Sequence, residues 1–204
     1  MKKVLFLDID GVLNDTGSTM AKIGFQTRTS AQDLAIQGLM HKFEVEDELP
    51  YGPTFTIQTI NPVAVGLVNR MLAKDLDLHI VLSTSHRSMF SGSNYKINGR
   101  EIAYGSDEHF EVLRAYMRAL GLVAPPDRLV AGITPRLYIE RGKEVRQFLD
   151  EHPEIERHCA VDDGGDFKPS DCNFVRTDPK VGLTGEKYFE IVKHLAIHES
   201  DIIF

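Results

Sequence analysis

Cysteine is scarce in this 204-residue chain, with Cys159 and Cys172 the whole supply. Two such residues form neither a disulfide framework nor a metal-ligand spacing, and no His/Cys cluster has the spacing of a zinc site. A reducing compartment is therefore expected, with both cysteines acting as small core hydrophobes in strands. Long apolar runs are missing as well. The run after Lys2 and Lys3 stops at Asp8, too short for a signal-peptide core, and no segment approaches transmembrane length. A cytoplasmic protein with no membrane partner is expected. Positive charge is outnumbered: 23 Lys and Arg face 30 Asp and Glu, for a formal net charge of −7, which argues against an extended nucleic-acid surface. A local basic pocket remains compatible with that balance. Repeats and low-complexity segments are absent, and 42% apolar residues suffice for a sizeable core. The length suits one domain, 1–204, with an insertion.

What is present starts at once. Val4-Leu5-Phe6-Leu7 runs straight into Asp8-Ile9-Asp10-Gly11, the pattern of a buried strand ending in a polar turn. Residues two apart on a strand share a side, so Asp8 and Asp10 are expected to project together while Ile9 returns to the core. Two adjacent carboxylates repel and lose hydration unless a cation or a proton lies between them. Mg2+ suits that place, because it takes one or two carboxylates, keeps waters and receives phosphate oxygens.

The span 14–60 is long for a connection and reads as a small lid, with a helix over Ser30–Phe43, an acidic edge at 44–48 and a short strand over Thr54–Ile60. Asn61-Pro62 then caps a helix, and Leu78–Leu82 is an apolar strand ending in Ser83-Thr84-Ser85-His86-Arg87. Residues 88–105 are turn-rich, and Asn98-Gly99 suggests a hairpin insertion. Ser106 caps a further helix, Arg128–Ile133 reads as a strand, Arg141–His152 as a helix, and His158–Val161 as a strand running into Asp162-Asp163. Asn173–Val175 is a short strand, Thr184 caps the last helix, and the tail Ile202–Phe204 is apolar. Strands alternating with helices predict an α/β, Rossmann-like fold with a mainly parallel sheet flanked by helices.

In such sheets ligands bind beyond the carboxyl ends of the strands. Three strands end in chemically capable residues: Asp8 and Asp10, Ser83 and Thr84, Asp162 and Asp163. Arg87 is a candidate contact for substrate phosphate or base. Asp166 reads as a turn residue, and His86 as an ordinary polar or core histidine.

The sequence Asp8-x-Asp10-Gly-Val-Leu resembles the first motif of the haloacid dehalogenase (HAD) superfamily. Ile80-Val81-Leu82-Ser83-Thr84 resembles the second motif, Arg141 with Lys143 as alternative the basic third, and Val161-Asp162-Asp163 the acidic fourth. More narrowly, Asp10-Gly11-Val12-Leu13-Asn14, Ser83-x-x-His86-Arg87, Arg141-Gly142-x-Glu144-Val145 and Gly182-Leu183-Thr184 resemble HAD domains associated with RNA-repair proteins. His86 departs from the tryptophan expected at that place, and the lid is longer. The resemblance implies a phosphomonoester hydrolase that uses Mg2+. Asp8 is then the nucleophile that becomes an aspartyl-phosphate, and Asp10 is the acid and base. Ser83 or Thr84 binds a phosphoryl oxygen, with Ser83 favoured because it follows the strand directly. Arg141 or Lys143 neutralises charge, and Asp8, Asp10 (through its backbone carbonyl), Asp162 and Asp163 form the metal site. The implied substrate is a nucleotide or a phosphorylated nucleic-acid end. Other small phosphorylated metabolites, a phosphotransferase and a non-catalytic binding module of the same fold are the alternatives, and oligomeric state stays open.

Overall fold

The computed structural model describes residues 1–17, 19, 30–43, 52–92, 96–97 and 99–198. Five parallel strands form the sheet: β1 (Lys3–Leu7), β2 (Leu78–Leu82), β5 (Gly132–Ile133), β6 (Arg157–Asp162) and β7 (Phe174–Arg176). Their spatial order is β5-β2-β1-β6-β7, so β1 is central and the order reverses beside it. Lys96–Ile97 (β3) and Arg100–Glu101 (β4) pair separately as an antiparallel ribbon. Among the described residues seven helices complete the chain: α1 (Ser30–Phe43), α2 (Pro53–Thr59), α3 (Pro62–Lys74), α4 (Asp107–Ala119), α5 (Pro126–Leu129), α6 (Arg141–Glu151) and α7 (Gly185–Leu195). The α/β, Rossmann-like architecture read from the sequence is the one observed.

Period-two alternation explains the two cores. Leu5 and Leu7 of β1, Leu78, Ile80 and Leu82 of β2, and Cys159 and Val161 of β6 join the larger cluster with α3, α4 and α7. Val4, Phe6, Val81 and Ala160 face the other way, onto Val145, Phe148 and Leu149 of α6. Both faces are covered, and so β1 is apolar after Lys3, and the buried middle of β6, Cys159–Val161, is apolar too. Cys159 and Cys172 are buried free thiols whose pKa burial pushes up, although Cys172 precedes β7 rather than lying in it.

The sequence signals at helix starts work as capping predicts. Asn61 accepts from the backbone of Val63 and Ala64, Ser106 from His109, and Thr184 from Lys187. Two segments differ from expectation. Thr54–Ile60 is helix α2 rather than a strand: Pro53 opens it, and the buried positions Pro53, Thr56, Ile57 and Ile60 follow helical spacing. Arg128–Ile133 contains a strand only at Gly132–Ile133, because Pro125 and Pro126 start a helical turn that includes Arg128 and Leu129. The span 14–60 leaves and rejoins the body at one place, where Asn14 bridges Ile60 and the Asn61 amide donates to the Leu13 carbonyl. Ile36, Leu39, Ile57 and Ile60 from this span belong to the larger core. The acidic run 44–48 and the tail 202–204 lie outside the described residues.

Arg128 is a buried cation with no carboxylate partner among the described residues, and its guanidinium works on carbonyls. Its guanidinium donates to the carbonyls of Leu72 and Asp75 at the end of α3, at 2.7 and 2.6 Å, and Nε donates to Leu78 at 3.0 Å. Orphan carbonyls at a helix end are thereby satisfied. Arg128→Ala should lower unfolding stability in urea by about 2–3 kcal/mol; an unchanged midpoint would show that those carbonyls find other partners.

Candidate active site

Three parallel strands deliver their ends to one edge. The backbone ladder continues one residue past β1 and β2, since the Asp8 amide donates to Val161 and the Ser83 amide to Leu7. Beyond Asp8 the chain turns rather than extending, with the amides of Val12 and Leu13 donating to the Ile9 carbonyl. Gly11 is essential to that turn. Its φ is +70°, and a Cβ there would lie 2.5 Å from the Asp163 carboxyl. Gly182, at φ +66°, brings the chain before α7 against the same turn, where a Cβ would lie 2.8 Å from the Val12 carbonyl.

This turn separates the two aspartates that strand alternation would have paired. Asp8 is buried and closes on Asp162 and Asp163, with one carboxylate oxygen from each within 4.8 Å of the others. The Asp10 side chain, 57% exposed, accepts instead from Asn14 Nδ2 at 3.0 Å and lies 2.9 Å from His86 Nε2. The carboxylate cluster among the described residues is thus Asp8, Asp162 and Asp163, while the Asp10 side chain belongs to a second network. Alternation is a strand rule, and β1 has ended by Asp10.

Arg141 opens α6 and reaches both buried acids. Its Nη1 is 2.9 Å from Asp8 Oδ2 and 2.7 Å from Asp162 Oδ2, and it also donates to the Ser83 carbonyl at 2.9 Å. Glu140 precedes α6 without a capping hydrogen bond from its side chain, and Asp166 Oδ2 accepts from the Arg141 amide at 2.8 Å in its place. Lys143, the alternative cation, is turned outward to Glu140 at 3.0 Å. Arg87 is buried, donating to Glu144 and to the Thr84 carbonyl.

The hydroxyls divide their work. Thr84 bonds the Asp8 carboxylate and caps the short turn Ser85–Ser88 by accepting from the His86 amide at 3.2 Å. Ser83 Oγ is buried with no partner among the described residues. An unsatisfied buried hydroxyl is costly, so Ser83 Oγ–H is a donor held ready at this edge.

Electrostatics follow from burial. Desolvation and the neighbouring Asp162 charge raise Asp8 to about 7, against the lowering by Arg141, Thr84 and the Ile9 amide. Burial likewise raises Asp162, with Arg141 and the Gly164 amide opposing. Asp10 goes the other way: burial raises it, but the hydrogen bond and charge of His86, then Asn14 and Arg141, prevail and hold it below the ordinary carboxylate range. A hard divalent cation fits such a cluster, since acids that resist ionising together accept a shared cation.

Sequence reasoning missed the partners of Asp10. His86 is buried between the Asp10 carboxylate and the Tyr116 hydroxyl, which is 3.0 Å from Nδ1. Asn14 links turn and acid, also accepting from the Gly11 amide at 3.0 Å. Only the four-residue spacing of Asp10 and Asn14 was available as a local signal; the pairing with α4 was not.

The pKa of Asp8 has a consequence for the metal-free protein. With the folded value raised to about 7 from 3.8, this group's contribution to stability is full below pH 4 and lost as pH rises through about 7. Asp8→Asn should therefore gain on wild type by up to roughly 4 kcal/mol at pH 8 and lose that gain near pH 4, measured by urea unfolding. A pH-independent difference between the two proteins would refute the raised pKa.

No helix among the described residues is long and apolar enough to cross a membrane. No curated protein and no solved structure matches the chain. A family profile described as the HAD domain in Swiss Army Knife RNA repair proteins matches residues 4–188. That match runs from β1 into α7 and takes in every strand end that builds the carboxylate edge. The chain belongs to this family of HAD domains.

Proposed function

We propose that the protein is a Mg2+-dependent phosphomonoester hydrolase that works through an aspartyl-phosphate, on a nucleotide or a phosphorylated nucleic-acid end. Family membership supports the phosphatase class. The observation that carries the reading is the contact of one guanidinium, Arg141, with the two buried carboxylates Asp8 and Asp162 beside the unpartnered Ser83 hydroxyl. Asp8, Asp163 and the backbone carbonyl of Asp10, with Asp162 in support, would hold Mg2+, which when bound supplies charge neutralisation for the phosphoryl oxygens.

A carboxylate oxygen of Asp8 attacks phosphorus, and the bond from phosphorus to the ester oxygen breaks. Ser83 Oγ–H donates to a phosphoryl oxygen, and Arg141 balances the charge that accumulates there. The departing oxygen takes a proton, and here the second network enters. Asp10 gives that proton: a carboxyl held below its ordinary range, beside His86 Nε2 2.9 Å away, is the stronger acid and releases a proton readily. Asp10 then removes a proton from the water that attacks the aspartyl-phosphate, releasing phosphate and restoring Asp8. Arg87, read from sequence as a substrate contact, supports the site from below through Glu144.

A panel of nucleoside monophosphates and 5′- or 3′-phosphorylated oligoribonucleotides, assayed with Mg2+ for phosphate release, tests this directly. Turnover is expected in the wild type and should fall by about four orders of magnitude or more in Asp8→Asn. Full turnover in that variant, or none in the wild type, would sink the reading.

His86 is a positioning residue for Asp10, and leaving-group chemistry separates that role from a structural one. His86→Asn should slow hydrolysis of alkyl phosphates by roughly 10²-fold, but that of p-nitrophenyl phosphate much less, because its leaving group needs no proton. An equal loss on both substrates would assign His86 to structure alone.

A further inference from the structure

Beside the carboxylate edge, a cavity of about 250 Å³ opens onto Arg141 and is walled by Ser85, Arg87, Ser88, Arg136, Tyr138 and Ile139, with the carboxylates Glu144 and Asp166 also in its lining. Nothing in the phosphoryl-transfer scheme uses it. Its outer wall is the loop between β5 and α6, and three features of that loop point to a ligand. Tyr138 is a bulky residue held in the left-handed conformation, at φ +57°, with its ring 81% exposed. That conformation is unfavourable for such a residue, and it is characteristic of ligand-facing positions. The Arg136 guanidinium stands over the Tyr138 ring, 4.8 Å from its centroid, and no carboxylate among the described residues pairs with it. The loop is also held from below. Glu144, buried in the first turn of α6, accepts from the Leu137 amide at 2.8 Å through one carboxylate oxygen and from Arg87 through the other.

We propose that the Arg136–Tyr138 wall is a stacking subsite for a nucleobase carried by the phosphate ester. This deepens the phosphatase reading and rests on it for the position of the phosphate. Planar guanidinium and phenol faces are the groups on which bases stack, and they accept any base because each has a π-face. The serine hydroxyls supply polar partners for a sugar or a base edge. The volume, just below the roughly 300 Å³ at which drug-sized pockets begin, suits one nucleoside unit. Arg141, shared by the cavity and the carboxylate edge, sets that unit directly beside the phosphoryl group. Arg87 lines the same cavity and also fixes Glu144, and through it the loop.

The test compares wild type, Tyr138→Ala and Tyr138→Phe on three probes: adenosine monophosphate, a short phosphorylated oligoribonucleotide and glycerol phosphate. Equilibrium binding by calorimetry is measured alongside KM and kcat. Tyr138→Ala should weaken binding and raise KM by roughly tenfold for the two base-bearing probes, with kcat and glycerol phosphate unaffected, and Tyr138→Phe should behave as wild type. An effect on the oligonucleotide exceeding that on the mononucleotide assigns the subsite to a terminal base of a strand; equal effects assign it to a free nucleotide. Should no probe be hydrolysed while Tyr138→Ala still weakens adenosine monophosphate binding, the phosphatase reading falls and the subsite stands. Unchanged binding of both base-bearing probes in Tyr138→Ala overturns the subsite, whatever the activity.

Discussion

One guanidinium between two buried carboxylates is the interaction on which the arrangement depends. Asp8 and Asp162 arrive from the adjacent strands β1 and β6, each already disfavoured as an anion by burial, and each raises the difficulty for the other. Arg141 touches both, and it comes from the first residue of α6. Buried charges are tolerated when paired and hydrogen-bonded, and become strongly destabilising when a partner is removed. The position of α6 over the sheet is therefore an electrostatic requirement as well as a packing one. Phe148 against Phe6, with ring centroids 5.6 Å apart, fixes the helix on the sheet at the opposite end of its length.

Around that interaction the molecule sorts its polar groups into two separate networks. One is acidic, with Asp8 and Asp162 buried, Asp163 partly so, and their carboxylate oxygens converging. The other is Asp10 with His86, Asn14 and Tyr116, where hydrogen bonds lower the proton affinity of the acid. Two aspartates one residue apart thus acquire opposite tendencies, one resisting ionisation and one favouring it. The cause is the turn at Gly11, which sends the two side chains to different neighbours. Divergent environments of this kind are what distinct acid, base and nucleophile roles require.

Much of this was legible in the sequence because the signals were local. Leu78–Leu82 and Ser30–Phe43 have the boundaries that their apolar spacing implied, and Asn61, Ser106 and Thr184 cap the helices that they introduce. Asp8, Ser83 and Asp162 were placed together by an argument about strand ends, and they do meet. What the sequence withheld depends on distant partners. Whether Thr54–Ile60 is strand or helix turned on how Ile57 and Ile60 meet the core, and a two-position alternation does not carry that information. The brevity of β5 depends on a proline-started turn whose arginine is held by carbonyls of α3 and β2. Arg87 is followed in space by Glu144, 57 residues onward, and His86 by Tyr116, 30 residues onward. No spacing rule connects those pairs, since each belongs to a different element.

The bridge between Asn14 and Ile60 has a consequence for how such a domain varies. The chain departs from the turn at Gly11 and returns beside it, where the Asn61 amide closes on the Leu13 carbonyl. Strand β2 then aligns on β1 from Lys3 opposite Leu78 to Leu7 opposite Leu82, through contacts that lie wholly outside the loop. The segment is also anchored by Ile36, Leu39, Ile57 and Ile60, which it lends to the larger core. Between those anchors its length can change while the β1–β2 register stays the same. Because loop-closure entropy grows only slowly with length, the cost of a longer or shorter version is small. The loop beside the carboxylate edge can therefore diversify without that edge being rebuilt.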